Sequence, residues 1–238
     1  MCGIATTLSK TELTLEEKSF AIKVMQESSI RGVHSFGLSY IVNKKIITKK
    51  FHKIEECLEH FAKNVTKEYI FHNRYSTSGD WKEHKNNQPI LLNNNSLVFN
   101  GVISMKTKEE MEKQFNLKLK TENDGEIFLH HIEKPLQFID DKNISFAGLY
   151  INKNQVFLLR NNLRPMFYSK FNNTYFIAST ADILIRSGLS NPEPTKPLKI
   201  YNYETLNEQE NRLHKLSYPD DEQWGYRPSK HLPALHCK

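Results

Sequence analysis

The chain has 238 residues, 38% of them hydrophobic and 25% charged, enough to bury a sizeable core in one large domain or two small ones. No run approaches the roughly 18 consecutive apolar residues of a membrane span, and the N-terminus lacks a basic-then-apolar leader, so a soluble cytoplasmic protein is expected. The formal charge of +6 is spread as lysines interleaved with acidic residues, and the 3 cysteines (Cys2, Cys57 and Cys237) are too few for a disulfide framework, so neither a nucleic-acid partner nor a secreted scaffold is expected.

The elements begin at once. Gly3 to Leu8 reads as a short strand holding Cys2 at its start. If Met1 is trimmed, Cys2 carries a thiol and a free α-amino group on one carbon, a nucleophile with its own base. Thr14-Leu-Glu-Glu17 has the form of a capping box, and Phe20, Ala21, Val24, Met25 and Ser28 recur at helical spacing, which predicts an amphipathic helix over 14–29. Phe36 to Val42 and Lys45 to Lys49 read as a hairpin around Asn43-Lys44. Glu55 to Asn64 is a second helix and Tyr69 to Asn73 a further strand.

From Arg74 to Pro89 the chain is polar and irregular, and long loops of this kind tend to carry function. Pro89 to Leu92 and Ser96 to Phe99 flank an asparagine turn, giving a hairpin that ends at Asn100-Gly101, itself a turn-forming pair. Lys108 to Phe115 and Glu126 to Glu133 are predicted helices. The second half is mainly β, with strands at 145–151, 155–160, 166–169 and 175–178, then a short helix closed by Gly188. Pro192, Pro194 and Pro197 make 191–197 irregular, Leu198 to Leu206 reads as one more strand, and the remainder as a polar tail. The expected division is a domain over 1–190 and a Pro-containing extension over 191–238. His130, His131 and Glu133 do not make a metal site, because adjacent helical residues point about 100° apart and neither HExxH nor a CxxC pair is present; no metal or other cofactor is expected.

Several blocks, in order, resemble the class II glutamine amidotransferase domains, which are N-terminal-nucleophile hydrolases. They are Cys2-Gly3-Ile4, Arg31-Gly-Val-His-Ser-Phe-Gly37, His72-Asn-Arg-Tyr-Ser-Thr-Ser-Gly79, Asn86-Asn-Gln-Pro89 with Asn100-Gly101, Asn123-Asp124-Gly-Glu126, and Arg160-Asn-Asn-Leu-Arg-Pro165 with Phe167-Tyr168. The resemblance runs from Cys2 to about Gly188. His34 stands where the family usually has Asp, Ser78 where His is common, and Asn161 where Asp is common.

The resemblance implies an α+β fold, the four-layer α/β/β/α sandwich. It implies that Cys2 attacks the γ-amide of glutamine, that Asn100 and Gly101 form the oxyanion hole, that Arg74 pairs with the substrate α-carboxylate and Asp124 with its ammonium, and that Thr77 lines the pocket. Ammonia release would feed a separate synthase or synthetase, since no phosphate-cradling GxxxxGK[ST] loop is present in the chain. An acceptor-free hydrolase of γ-glutamyl compounds and a catalytically idle scaffold are the alternatives.

Overall fold

The computed structural model describes residues 2–76 and 80–215. Strands and helices follow the sequence closely at their starts. The first strand, β1 (Gly3–Leu8), leads into helix α1 (Leu15–Ser28), whose N-cap is the expected box: Glu17 N donates to Thr14 Oγ1 at 3.2 Å and Thr14 N to Glu17 Oε2 at 2.8 Å. Strands β2 (Ser35–Val42) and β3 (Lys45–Phe51) form a hairpin, α2 (Ile54–Asn64) follows, and β4 (Tyr69–Arg74) returns beside β1. Next come β5 (Ile90–Leu92), β6 (Asn95–Val102), α3 (Lys108–Phe115), α4 (Gly125–His130) and α5 (Pro135–Ile139). The second half holds β7 (Ser145–Asn152), β8 (Gln155–Arg160), β9 (Phe167–Phe171), β10 (Thr174–Ala178), α6 (Ala181–Arg186), β11 (Glu193–Pro194) and α7 (Tyr203–Lys215).

Asparagine richness has a local use. The hairpin turns at Asn43-Lys44, Asn93-Asn94 and Lys153-Asn154 place both central residues at φ between 48° and 62°, the left-handed pair that matches strand twist and that asparagine tolerates better than most residues.

Two antiparallel sheets result, one ordered β11-β9-β10-β1-β4-β2-β3 and the other β5-β6-β7-β8. Alternation along each strand sorts the side chains into three apolar layers. Ala5, Tyr69 and Phe71 pack with Ala21, Val24 and Met25 of α1 and Phe61 of α2 on the outer face of the large sheet. Ile4, Leu8 and Ile70 meet Val98, Leu149 and Ile151 between the sheets. Leu97, Phe99 and Phe146 pack with Met111, Ile127, Phe128 and Ile139 under α3, α4 and α5. The expected four-layer α/β/β/α order is therefore the one observed.

Three departures have physical reasons. Asn100-Gly101 is not a turn: both residues lie inside β6, paired with Ala147 and Phe146. The helix expected over 126–133 stops at His130, and Pro135 starts α5 at a position where a missing N–H costs nothing. The strand expected over 198–206 is reduced to a single bridge between Tyr201 and Leu158. There Asn202 accepts from Thr205 N at 3.0 Å and opens α7, so a helix cap overrides the alternating apolar pattern.

Candidate active site

By strand parity, Cys2 faces the same side of β1 as Ile4, Arg74 the same side of β4 as Ile70, and Asn100 the same side of β6 as Val98. That side is the space between the sheets. The antiparallel register sets Gly3 opposite Asn73, so Cys2 and Arg74 come together at one end of the sandwich. Arg31, just before β2, fixes the backbone at Cys2 by donating Nε to the Cys2 carbonyl at 2.9 Å.

The thiol of Cys2 lies 3.7 Å from the Tyr75 carbonyl oxygen. Burial pushes its pKa up; a Tyr75 backbone hydrogen bond and the positive charge of Arg74 pull it down, and the Asp124 carboxylate opposes them. Cys2, Arg74 and Asp124 thus act on one another's charge, and Arg74 in turn feels both Cys2 and Asp124. Cys57, the other described cysteine, is buried in the helical layer with its pKa pushed up to about 12, and has no such neighbours.

Arg74 is buried and donates Nη1 to Asn87 Oδ1, while Asn87 Nδ2 donates to the Trp81 carbonyl at 2.7 Å. Asn86 next to it is cross-linked to the segment before α4: its amide donates to Glu122 Oε2 at 3.2 Å and its carbonyl accepts from Asn123 Nδ2 at 3.0 Å. The chain from 84 to 88 therefore joins Arg74 to Asp124. Asp124 itself makes no capping bond to α4. Its Oδ2 accepts from Ile103 N at 2.7 Å and Ser104 N at 3.1 Å; burial raises its pKa and these backbone bonds lower it.

Asn100 Nδ2 is buried and has no hydrogen-bond partner among the described residues, an uncommon and costly condition. Gly101 follows it at a tight point of β6, where a Cβ would lie 1.9 Å from the Ser145 carbonyl oxygen, so only glycine keeps β6 against β7. Its partner Phe146 turns both its main-chain groups to Asn161, which accepts from Phe146 N at 3.1 Å and donates N to Phe146 O at 2.9 Å. Gly101 N–H therefore projects from the other edge of β6. On that edge Phe99 N is taken by Gln88 Oε1 at 2.6 Å and Ile103 N by Asp124, with the Gly101 donor between them.

Of the residues singled out from the sequence, Cys2, Arg74, Asn100, Gly101 and Asp124 lie around this end of the sandwich, and Thr77 lies outside the described residues. Roles for Asn87, Gln88 and Arg31 were not expected from the sequence, although all three sit inside the motif blocks. His130 and His131 are engaged elsewhere: His130 lies 4.0 Å from Glu126, and His131 donates to the Ile127 carbonyl at 2.9 Å and stacks on Phe138. Among the described residues no group of three or more His, Cys, Asp or Glu is placed to hold a metal ion, and no helix is long and apolar enough to cross a membrane.

This arrangement of two stacked sheets recurs in solved structures. The chain has the fold of a class II glutamine amidotransferase domain. It is similar to the glutamine phosphoribosylpyrophosphate amidotransferase of B. subtilis, with 18% identity, a TM-score of 0.66, and coverage of 84% of this chain and 46% of that one. A structure described as the allosteric regulatory enzyme of purine biosynthesis matches with 19% identity and a TM-score of 0.67, again over 84% and 46%. A glutamine aminotransferase class-II domain protein from Silicibacter pomeroyi matches with 11% identity and a TM-score of 0.52, over 84% of this chain and 93% of that one. The chain thus spans about half the length of the first two of these proteins. No protein-family model and no curated protein matches it.

Proposed function

We infer that the protein is a glutamine amidotransferase-type amide hydrolase with Cys2 as nucleophile. What supports the reading is that Cys2, Arg74 and Asp124 act on one another's charge at the end of the sandwich where β6 carries the buried Asn100 amide, unpartnered among the described residues, and the outward Gly101 N–H. A donor held buried without a partner is worth its cost where negative charge will appear.

Burial makes the Cys2 thiol less acidic than an ordinary cysteine, so the thiolate needs a base beside it. After removal of Met1, the α-amino group, with a reference pKa of about 7.7 to 8.0, supplies one. Sulfur adds to the γ-amide carbon of glutamine, and its proton passes through the amine to the leaving nitrogen. The oxyanion rests on Asn100 Nδ2 and Gly101 N–H. Collapse breaks the carbon–nitrogen bond, releases ammonia and leaves a γ-glutamyl thioester, which water hydrolyses to glutamate. Arg74, a planar fork, pairs with the α-carboxylate and Asp124 with the α-ammonium, fixing the amide carbon against the sulfur; Thr77 completes the pocket. Ammonia then passes to a separate synthase or synthetase.

The test is to purify the chain, determine its N-terminal mass and treat it with diazo-oxo-norleucine, an electrophilic glutamine analogue. Loss of Met1, ammonia release from glutamine and labelling of Cys2 are expected. Retention of Met1 in an active preparation would sink the reading. Faster turnover of γ-glutamyl peptides than of glutamine would replace it with an acceptor-free hydrolase.

A further inference from the structure

His34 stands just before β2, and its imidazole is held on three sides by the segment that follows β4. Its backbone N donates to the Arg74 carbonyl at 3.0 Å. Its ring stacks on Tyr75, with centroids 5.1 Å apart and planes 26° apart, and on Trp81 at 5.4 Å and 16°. Its Nδ1 accepts a hydrogen bond from Ser76 N at 2.9 Å. An accepting Nδ1 fixes the neutral tautomer with its proton on Nε2.

The Ser76 N–H belongs to the same peptide group as the Tyr75 carbonyl, which lies 3.7 Å from the Cys2 sulfur. A peptide group is planar, and in its trans form C=O and N–H point in opposite directions. Fixing the N–H on one side therefore fixes the oxygen on the other. The imidazole and the sulfur face each other across one rigid peptide, and hydrogen bonding at its N–H polarises the carbonyl that meets the thiol.

We propose that His34 is a positioning residue for the nucleophile, acting on Cys2 through the Tyr75–Ser76 peptide; as a statement about catalysis it rests on the reading of Cys2 above. Stacking between Tyr75 and Trp81 sets the ring plane, and the Nδ1 acceptor sets the peptide. Any side chain that puts a hydrogen-bond acceptor at that point, such as asparagine, does the second job; a ring without an acceptor does only the first.

The experiment compares His34→Phe, which keeps a ring and loses the acceptor, with His34→Asn, which keeps an acceptor and loses the ring. Two quantities are measured: the rate at which iodoacetamide alkylates Cys2, followed by peptide mass spectrometry, and steady-state kinetics with glutamine. His34→Phe is expected to slow both alkylation and kcat by about threefold to tenfold, the worth of one hydrogen bond, with KM moved less than about twofold. His34→Asn is expected to restore both toward the parent values. Unchanged alkylation and kcat in His34→Phe, or an Asn variant as slow as the Phe variant, would overturn the proposal. If the parent chain releases no ammonia from glutamine, the functional reading fails on its own, and the alkylation rates still decide whether His34 positions the sulfur.

Discussion

The two ends of the space between the sheets are built from the same strands and differ in what they bury. At one end Leu8 and Ile70 of the large sheet meet Ile151 and Val156 of the small one, and Tyr175, Tyr201 and Leu206 close over them. At the other end the same strands bury His72, Arg74 and Asn100. The apolar end gains roughly 1.5–3 kcal/mol for each large side chain removed from water, whereas a buried polar atom without a partner costs roughly 1–3 kcal/mol. One end stabilises the fold and the other draws on that stability to keep polar groups buried. Substitutions at the two ends should therefore separate activity from stability.

The largest expected effect is at Cys2. Cys2→Ala should abolish ammonia release while leaving the melting temperature within about 2 °C of the parent, measured by calorimetry, because a partly exposed residue before β1 carries little packing. Asn100→Ala should lower kcat by about 100-fold to 1000-fold with little change in KM, and should not reduce stability, since the unpartnered donor goes with it. A variant that loses stability together with activity would break the contrast between the ends. At the other end, Leu206→Ala should cost about 2–5 kcal/mol in urea unfolding and leave kcat unchanged below the transition.

Smaller effects sharpen the contrast. Arg74→Lys should raise the KM for glutamine about tenfold and alter kcat less, because a point charge replaces a fork whose Nη1 is already held by Asn87. A pH dependence should also arise at the polar end, from His72. Burial, and then the charges of Arg74 and Lys50, depress His72 to a pKa of about 3 in the folded chain, against about 6.5 unfolded. As pH falls below about 6.5 the unfolded chain takes up a proton that the folded chain refuses, so the stability tied to neutral His72 is present above that pH and lost on the way down to about 3. His72→Phe should flatten this acid limb in melting curves taken across the window. A limb as steep as the parent's would assign it to other groups.

Much of the fold was legible where the deciding chemistry is local. The Thr14 and Glu17 box, the Asn43-Lys44 turn and the short strand from Gly3 to Leu8 are each set within a few residues, and each has its expected consequence in the structure. Local signals failed where a distant partner decides. Asn100-Gly101 has the strongest short turn signature, yet β7 pairs with it and keeps it in a strand. Leu198 and Ile200 alternate as a strand would, but the cap at Asn202 turns the chain into α7. In the candidate site, residue types and motif order pointed to Cys2, Arg74, Asn100, Gly101 and Asp124. Nothing local marked Asn87 as the holder of Arg74, Gln88 as the cap on Phe99 N, or His34 as the acceptor for Ser76, because each bond closes a loop of ten or more residues.

The segment after Gly188 has a practical meaning for anyone trimming this polypeptide. Glu193 and Pro194 lie along the outer edge of β9, Tyr201 bridges to Leu158 on the edge of β8, and Leu206 fills a gap beside Tyr175. A fragment cut after Ser190 would leave two strand margins uncapped and a greasy notch open to water, the template on which chains stick to one another. Such a fragment would keep every motif block and still precipitate.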